Sequence, residues 1–262
     1  MKKNNYSVLR FLSVIGFIIL WQVFATVNKD VEIMKPAYMP SPYEVFLTAV
    51  DYIRRGEFLP SVMNSMQRVL TGFLIGCVIA LVLGYIMAKH PVIENMLDPI
   101  FSLIGAVPAY AFMPLFIIWF GIGEKAKIIL IVYSTALPLL SYMIQGIKSV
   151  DPLLIRSAMS LGANEWQVFK FVIIKSAMPY ILTGMEVTLG LTFSALIVAE
   201  MMGADSGLGY IIVFSRNWFK VADMFMAMSV IGILYILMKA ILGLIKKRVL
   251  RWQKTGFDGA VE

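Results

Sequence analysis

The chain has 262 residues, 60% of them hydrophobic and only 15% charged, which excludes an ordinary soluble domain because a water-facing surface of that size needs more charge. Its formal net charge of +7 is dispersed, so it fits a basic rim at a membrane surface better than a nucleic-acid interface. The single cysteine, Cys77, excludes an internal disulfide and reads as a small core residue within an apolar run.

A span through hydrocarbon takes roughly 20 apolar residues. The first such run covers about Val8–Val27, and no small-residue cleavage site follows it, so it reads as a retained span and not a signal peptide. Next comes "SPYEVFLTAVDYIRRG", in which Ser41 can cap a helix, Pro42 suits its first position and Glu44 completes a capping box. Val45, Ala49, Val50 and Ile53 would line one face and Gly56 would stop it, giving an amphipathic helix on the outer surface or against the bundle. The second span is about Val69–Ala88, bounded by Arg68 and Lys89. The third, about Ile93–Phe120, contains Pro99, Pro108 and Pro114; Pro108 and Pro114 would break it and free backbone carbonyls. Broken helices line cavities, so Val107–Met113, with Val107, Pro108, Tyr110 and Met113, is the expected lining of a pathway. The remaining spans are about Ile128–Ile147, Tyr180–Met201 and Met224–Ile245.

The expectation is an all-α, polytopic bundle of six spans, one domain over residues 1–262, with no internal repeat. Six spans put both termini on one side. Lys246, Lys247, Arg248, Arg251 and Lys254 after the last run, with Lys2 and Lys3 at the start, place that side in the cytosol.

Between the fourth and fifth spans lies a moderately polar segment, about residues 151–178. Asp151 can cap a helix starting at Pro152, which carries Leu153, Leu154, Ala158 and Leu161 and is ended by Gly162. Asn164 can cap a second helix, with Gln167 completing a capping box. Trp166, Phe169, Val172 and Ile173 would cover one face, and Pro179 would mark the boundary with the fifth span. Two capped helices at a sharp turn fit either a knob for a partner's groove, with small Ser157, Ala158 and Ser160 permitting close approach, or a helical loop sealing the base of the bundle.

"SAMSLGANEWQVFKFVIIKSAMP" resembles the EAA loop of ABC importer permeases. Ala158 matches the second alanine of that pattern and Gly162 its glycine; Val172 and Ile174 fall at its Ile and Leu positions. Arg156 stands where Glu is expected, Ser157 replaces the first Ala, and Lys175 replaces Pro. "MPSPYEV", "RVLTGFLIG", "PLFIIWFGIGEKAKI" and "AEMMGADSGLGY" extend the resemblance to the branch that imports nitrate, taurine and aliphatic sulfonates. The resemblance implies a homodimeric permease in the bacterial inner membrane, two ATP-hydrolysing subunits and an extracytoplasmic binding protein. ATP and Mg would belong to the ATPase, and no cofactor to this chain. It also implies that Arg156, Ser157, Ala158, Leu161, Gly162, Ala163, Asn164 and Trp166 form the coupling element inserted into the ATPase. The branch also holds permeases for a pyrimidine precursor of thiamine and other small organic solutes. A self-contained channel or carrier is the rival of another class, and would leave the segment at 151–178 without a purpose.

"GADSGLG" holds closely spaced Gly203, Gly207 and Gly209 but is not a phosphate loop, having no preceding strand and no Lys-Ser/Thr, and reads as a turn and re-entrant segment. Glu200, a carboxylate in the fifth span, is either part of the pathway or a structural pin for that turn. Glu186 replaces an Arg common in relatives. Paired with the departure at Arg156 it suggests an Arg156–Glu186 ion pair, with Lys170 and Lys175 as competing partners. The sole histidine, His90, lies in a short turn, and no Walker motif, metalloprotease motif or nucleophile elbow is visible.

Overall fold

The computed structural model describes residues 3–252, so Lys2 and Lys254 of the basic rim lie outside the described residues. The described chain is helical, in the order α1 (Lys3–Val31), α2 (Pro42–Arg54), α3 (Phe58–Lys89), α4 (Pro91–Gly105), α5 (Met113–Phe120), α6 (Glu124–Lys148), α7 (Pro152–Ser160), α8 (Glu165–Val168), α9 (Ile174–Gly203), α10 (Leu208–Asn217) and α11 (Val221–Val249). Five stretches are long and apolar enough to cross a membrane, and α4 with Ala109–Phe120 makes a sixth if that bent pair is one span. The helices overrun the apolar runs. α3 starts at Phe58 because the polar turns before Arg68 continue the same helix.

The chain clusters into two compact units, Met1–Ser65 with Asp205–Gly232, and Met66–Ala204 with Ile233–Glu262. In the first unit the capping box of α2 forms as its sequence dictates. Glu44 N–H donates to Ser41 Oγ at 3.3 Å, and Ser41 N–H to Glu44 Oε2 at 2.8 Å. Lys29 Nζ bonds Glu44 Oε1 at 2.6 Å, and this bond, with the Ser41 N–H, holds the Glu44 carboxyl below its usual range. The buried face of α2 runs through Ser41, Val45 and Tyr52; Ile53, expected on it, is exposed. A 3.6-residue period anchored at Ser41 and Val45 reaches position 52, and residue 53 lies about 100° further round. Tyr52 Oη donates to Asp223 Oδ2 at 3.0 Å; burial, then the Asp223 charge, push the phenol up to about 12. After Gly207, at φ +113°, Leu208 N–H finds Ser65 Oγ at 2.9 Å, so "GADSGLG" is a turn followed by the short helix α10.

In the second unit α6 and α9 make the most extensive packing. Their backbones approach closely: a Cβ on Gly184 would lie 2.6 Å from Tyr142 Cβ, and one on Gly76 of α3 2.7 Å from Thr135 Cβ. Thr135 and Thr192 bring buried hydroxyls to 2.7 Å, satisfying both polar groups where no water reaches.

The third span is broken by 86° between Gly105 and Ala109. Pro108 sits at the break, whereas Pro114 occupies the first turn of α5 and starts that helix instead of interrupting it. Pro179 does not mark a boundary either, since α9 runs through it.

Candidate functional site

The segment after α6 is built by two local caps. Asp151 Oδ1 accepts Leu153 N–H at 2.8 Å and starts α7. Gly162, at φ +85°, ends it in the left-handed conformation that favours glycine, with Gly162 N–H on Met159 O and Ala163 N–H on Ala158 O. Asn164 Oδ1 then accepts Gln167 N–H, and Gln167 Oε1 accepts Asn164 N–H, both at 2.9 Å. Arg156, Ser157, Leu161, Asn164 and Trp166 are exposed, and Ala158 and Ala163 half-buried. Leu161 is 89% exposed at the tip of the turn, an apolar side chain held out by rigid backbone.

From Asn164 the helix does not stop. It passes through a π turn, Phe169–Ile173, into α9, giving one stretch from Glu165 to Gly203, 39 residues or about 58 Å of helix axis. The π turn accommodates one additional residue per turn, which resets the face. Val168 is buried, Ala177 and Ile181 follow it on the packed side, and Trp166 and Phe171 point out. Of the expected face, Phe169, Val172 and Ile173 are half-buried, and Trp166, Phe169 and Ile173 line one cavity with the Trp166 and Phe169 rings stacked, while the fully buried line runs through Val168 instead.

The opposite end of that long helix carries a charge cluster. Arg68 of α3, 5% exposed, donates through Nε and Nη2 to the two oxygens of Glu124 at 2.8 Å each, and through Nη1 to Glu200 Oε1 at 2.7 Å. Lys127, 2% exposed, adds a 2.8 Å bond to Glu124 Oε1. Two cations and two carboxylates balance, which is what lets Arg68, Lys127 and Glu200 be buried while Glu124 stays half exposed. α3, the start of α6 and the end of α9 are tied at this point. Sequence reasoning singled out Glu200 but found no partner for it. Arg68 served there only as the boundary of a span.

The Arg156–Glu186 pair does not form. Glu186 Oε2 is bonded at 2.9 Å by Lys246 Nζ of α11, which also reaches Thr183 Oγ1 at 3.3 Å. Arg156, on the exposed side of α7, has no carboxylate partner among the described residues. Lys170 and Lys175 lie against the Phe171 ring instead.

Beside the break in the third span is a cavity of about 370 Å³, lined by Val107, Pro108, Tyr110, Tyr133, Ser134 and Ser194 among others. Tyr133 Oη takes up the freed carbonyls, bonding Ile104 O at 2.6 Å and Val107 O at 3.2 Å. Met113 and Glu200 do not belong to this lining. Met113 is fully buried, and Glu200 is turned to Arg68. A second cavity, of about 390 Å³, shares Gly105, Leu137 and Pro138 with the first and holds Asp98, Ser102 and Ser141.

The family described as binding-protein-dependent transport system inner membrane component matches residues 64–254. The taurine transport system permease protein TauC of Escherichia coli is 33% identical over 239 residues, 89% of this chain and 85% of its own length. The putative aliphatic sulfonates transport permease protein SsuC of Bacillus subtilis is 31% identical over 238 residues, 91% of this chain and 85% of its own. An amino acid ABC transporter solved with histidines shares the fold, with a TM-score of 0.64 at 17% identity, over 78% of this chain and 98% of the other.

Proposed function

The chain belongs to the family of binding-protein-dependent transport system inner membrane components, and we propose that it is the permease subunit of an ATP-driven importer of small organic sulfonates, taurine among them. Two copies would form the pathway, two ATPase subunits would dock at the α7–α8 turn, and an extracytoplasmic binding protein would deliver solute to the other face. Both termini would then be cytosolic, with the basic end of α11 at the inner surface.

The carrying observation is the rigid α7–α8 turn, doubly capped, tipped by exposed Leu161 and continuous with the helix to Gly203. A flexible loop would absorb a displacement; a capped turn on a 39-residue helix passes it on. The test is uptake of labelled taurine and alkanesulfonates by proteoliposomes holding the permease, its ATPase and the binding protein. ATP-dependent accumulation is expected. Uptake of sulfonate without an ATPase would refute the coupling, and transport of another solute in preference would refute the substrate class. One permease copy per assembly would refute the dimer.

A further inference from the structure

Asp98 stands seven residues after Pro91, about 10 Å along α4, in the first half of the broken span. It lines the cavity of about 390 Å³ together with Ser102, Ser141 and apolar Met87, Phe101 and Leu137. Among the described residues it makes no hydrogen bond and no ion pair. It is the one charged side chain in the lining of this cavity and of its neighbour; neither has a lysine or arginine. Asp98 is exposed at the mouth of this cavity, and a carboxylate on a span is a functional candidate that a cation would meet favourably.

The hydroxyls of the adjoining cavity sharpen the point. Each hydroxyl has one proton to donate. Tyr133 gives its proton to backbone carbonyls, Ser134 gives its own to Ile131 O at 2.9 Å, and Ser194 to Gly190 O at 3.1 Å. What they present to a passing solute is therefore lone pairs. Together the two cavities form a seam with a single negative charge and no cation, in which Ser102 and Ser141 add the hydroxyls nearest that charge. Such a lining repels a bare sulfonate and attracts a protonated amine.

We propose that Asp98 is a specificity-determining residue that binds the ammonium group of an amine-bearing solute during passage, so that an aminosulfonate such as taurine is carried in preference to amine-free sulfonates. This rests on the sulfonate reading above. The preference that the binding protein imposes is common to wild type and variant, so the ratio between the two isolates the contribution of the permease.

The test measures ATP-dependent uptake of taurine and of isethionate, its hydroxyl counterpart of equal length, at saturating concentrations of the loaded binding protein. Asp98→Asn is expected to lower taurine uptake about tenfold, as the loss of one charge-assisted hydrogen bond, and isethionate uptake no more than about twofold. Asp98→Glu should retain most taurine uptake. Retained isethionate uptake also shows that the variant folds and couples. Equal loss of both solutes, or no loss of taurine uptake, overturns the proposal while leaving the sulfonate reading intact. Wild-type uptake of neither sulfonate overturns that reading and this inference with it.

Discussion

Replacing Glu200 by alanine removes one of two carboxylates facing two buried cations. The cluster then carries a net charge of +1 around Arg68 and Lys127, which are 5% and 2% exposed. Breaking a buried pair by deleting one partner costs roughly 3–5 kcal/mol. Arg68 keeps both 2.8 Å bonds to Glu124, whose side chain is 53% exposed, and this holds the loss near the lower end, about 3 kcal/mol. At about 2–4 °C per kcal/mol for a chain of this length, the unfolding midpoint should fall by about 6–12 °C. The assay is a thermal scan of the purified permease in one detergent, followed by tryptophan fluorescence. Lys29→Ala is the control, because it breaks an ion pair whose side chains are 45% and 39% exposed and should cost about 1 kcal/mol or less. A Glu200→Ala midpoint within about 2 °C of wild type, or no lower than that of Lys29→Ala, would refute the cluster as a stabilising element.

Gly162→Val should uncouple ATP hydrolysis from transport at normal membrane levels. A Cβ there meets nothing within 4 Å, so the cost is backbone strain at φ +85°, about 1–2 kcal/mol, spent on reshaping the turn; unchanged ATP per solute would contradict this. Gly184→Ala should destabilise by about 1–3 kcal/mol, since its Cβ would fall 2.6 Å from Tyr142 Cβ and force α6 and α9 apart, a loss visible in the same thermal scan. Glu44→Gln should be destabilising at neutral pH and indistinguishable from wild type in strong acid. A folded pKa held below its usual value contributes stability above about pH 4.3 that disappears as pH falls through the folded value; urea unfolding of the variant at both pH values reads the difference.

The caps at Ser41, Asp151 and Asn164 were legible because each is a contact within three residues, settled by local chemistry. So was the break near Pro108, where a missing N–H acts on its own helix. The charge cluster was not, since Arg68 meets Glu124 and Glu200 from 56 and 132 positions away and periodicity carries no information about which carboxylate a buried arginine finds. The Arg156–Glu186 expectation failed for the same reason: Lys246, 60 positions from Glu186, arrives on another helix. The π turn was hidden because Phe169–Ile173 has the composition of an ordinary apolar helix, and only packing on the Met143 and Ala177 side decides which residues turn inward.

One geometric consequence separates a staple from a pivot. The α7–α8 turn and Glu200 lie at opposite ends of the helix from Glu165 to Gly203, and Glu200 ties that helix to α3 and to the start of α6 through Arg68 and Glu124. If the ATPase pushes the turn, a helix fixed at its far end must rotate about that fixture and not slide along its axis. Glu200→Gln keeps an acceptor oxygen for Arg68 Nη1 and removes the charge, so it should weaken the fixture without emptying the site. Measured well below its own unfolding midpoint, Glu200→Gln should hydrolyse ATP at the wild-type rate and carry several-fold less solute per ATP, because the driven end still moves while the held end slips. A variant with a lowered midpoint but wild-type solute per ATP would make the cluster a staple only.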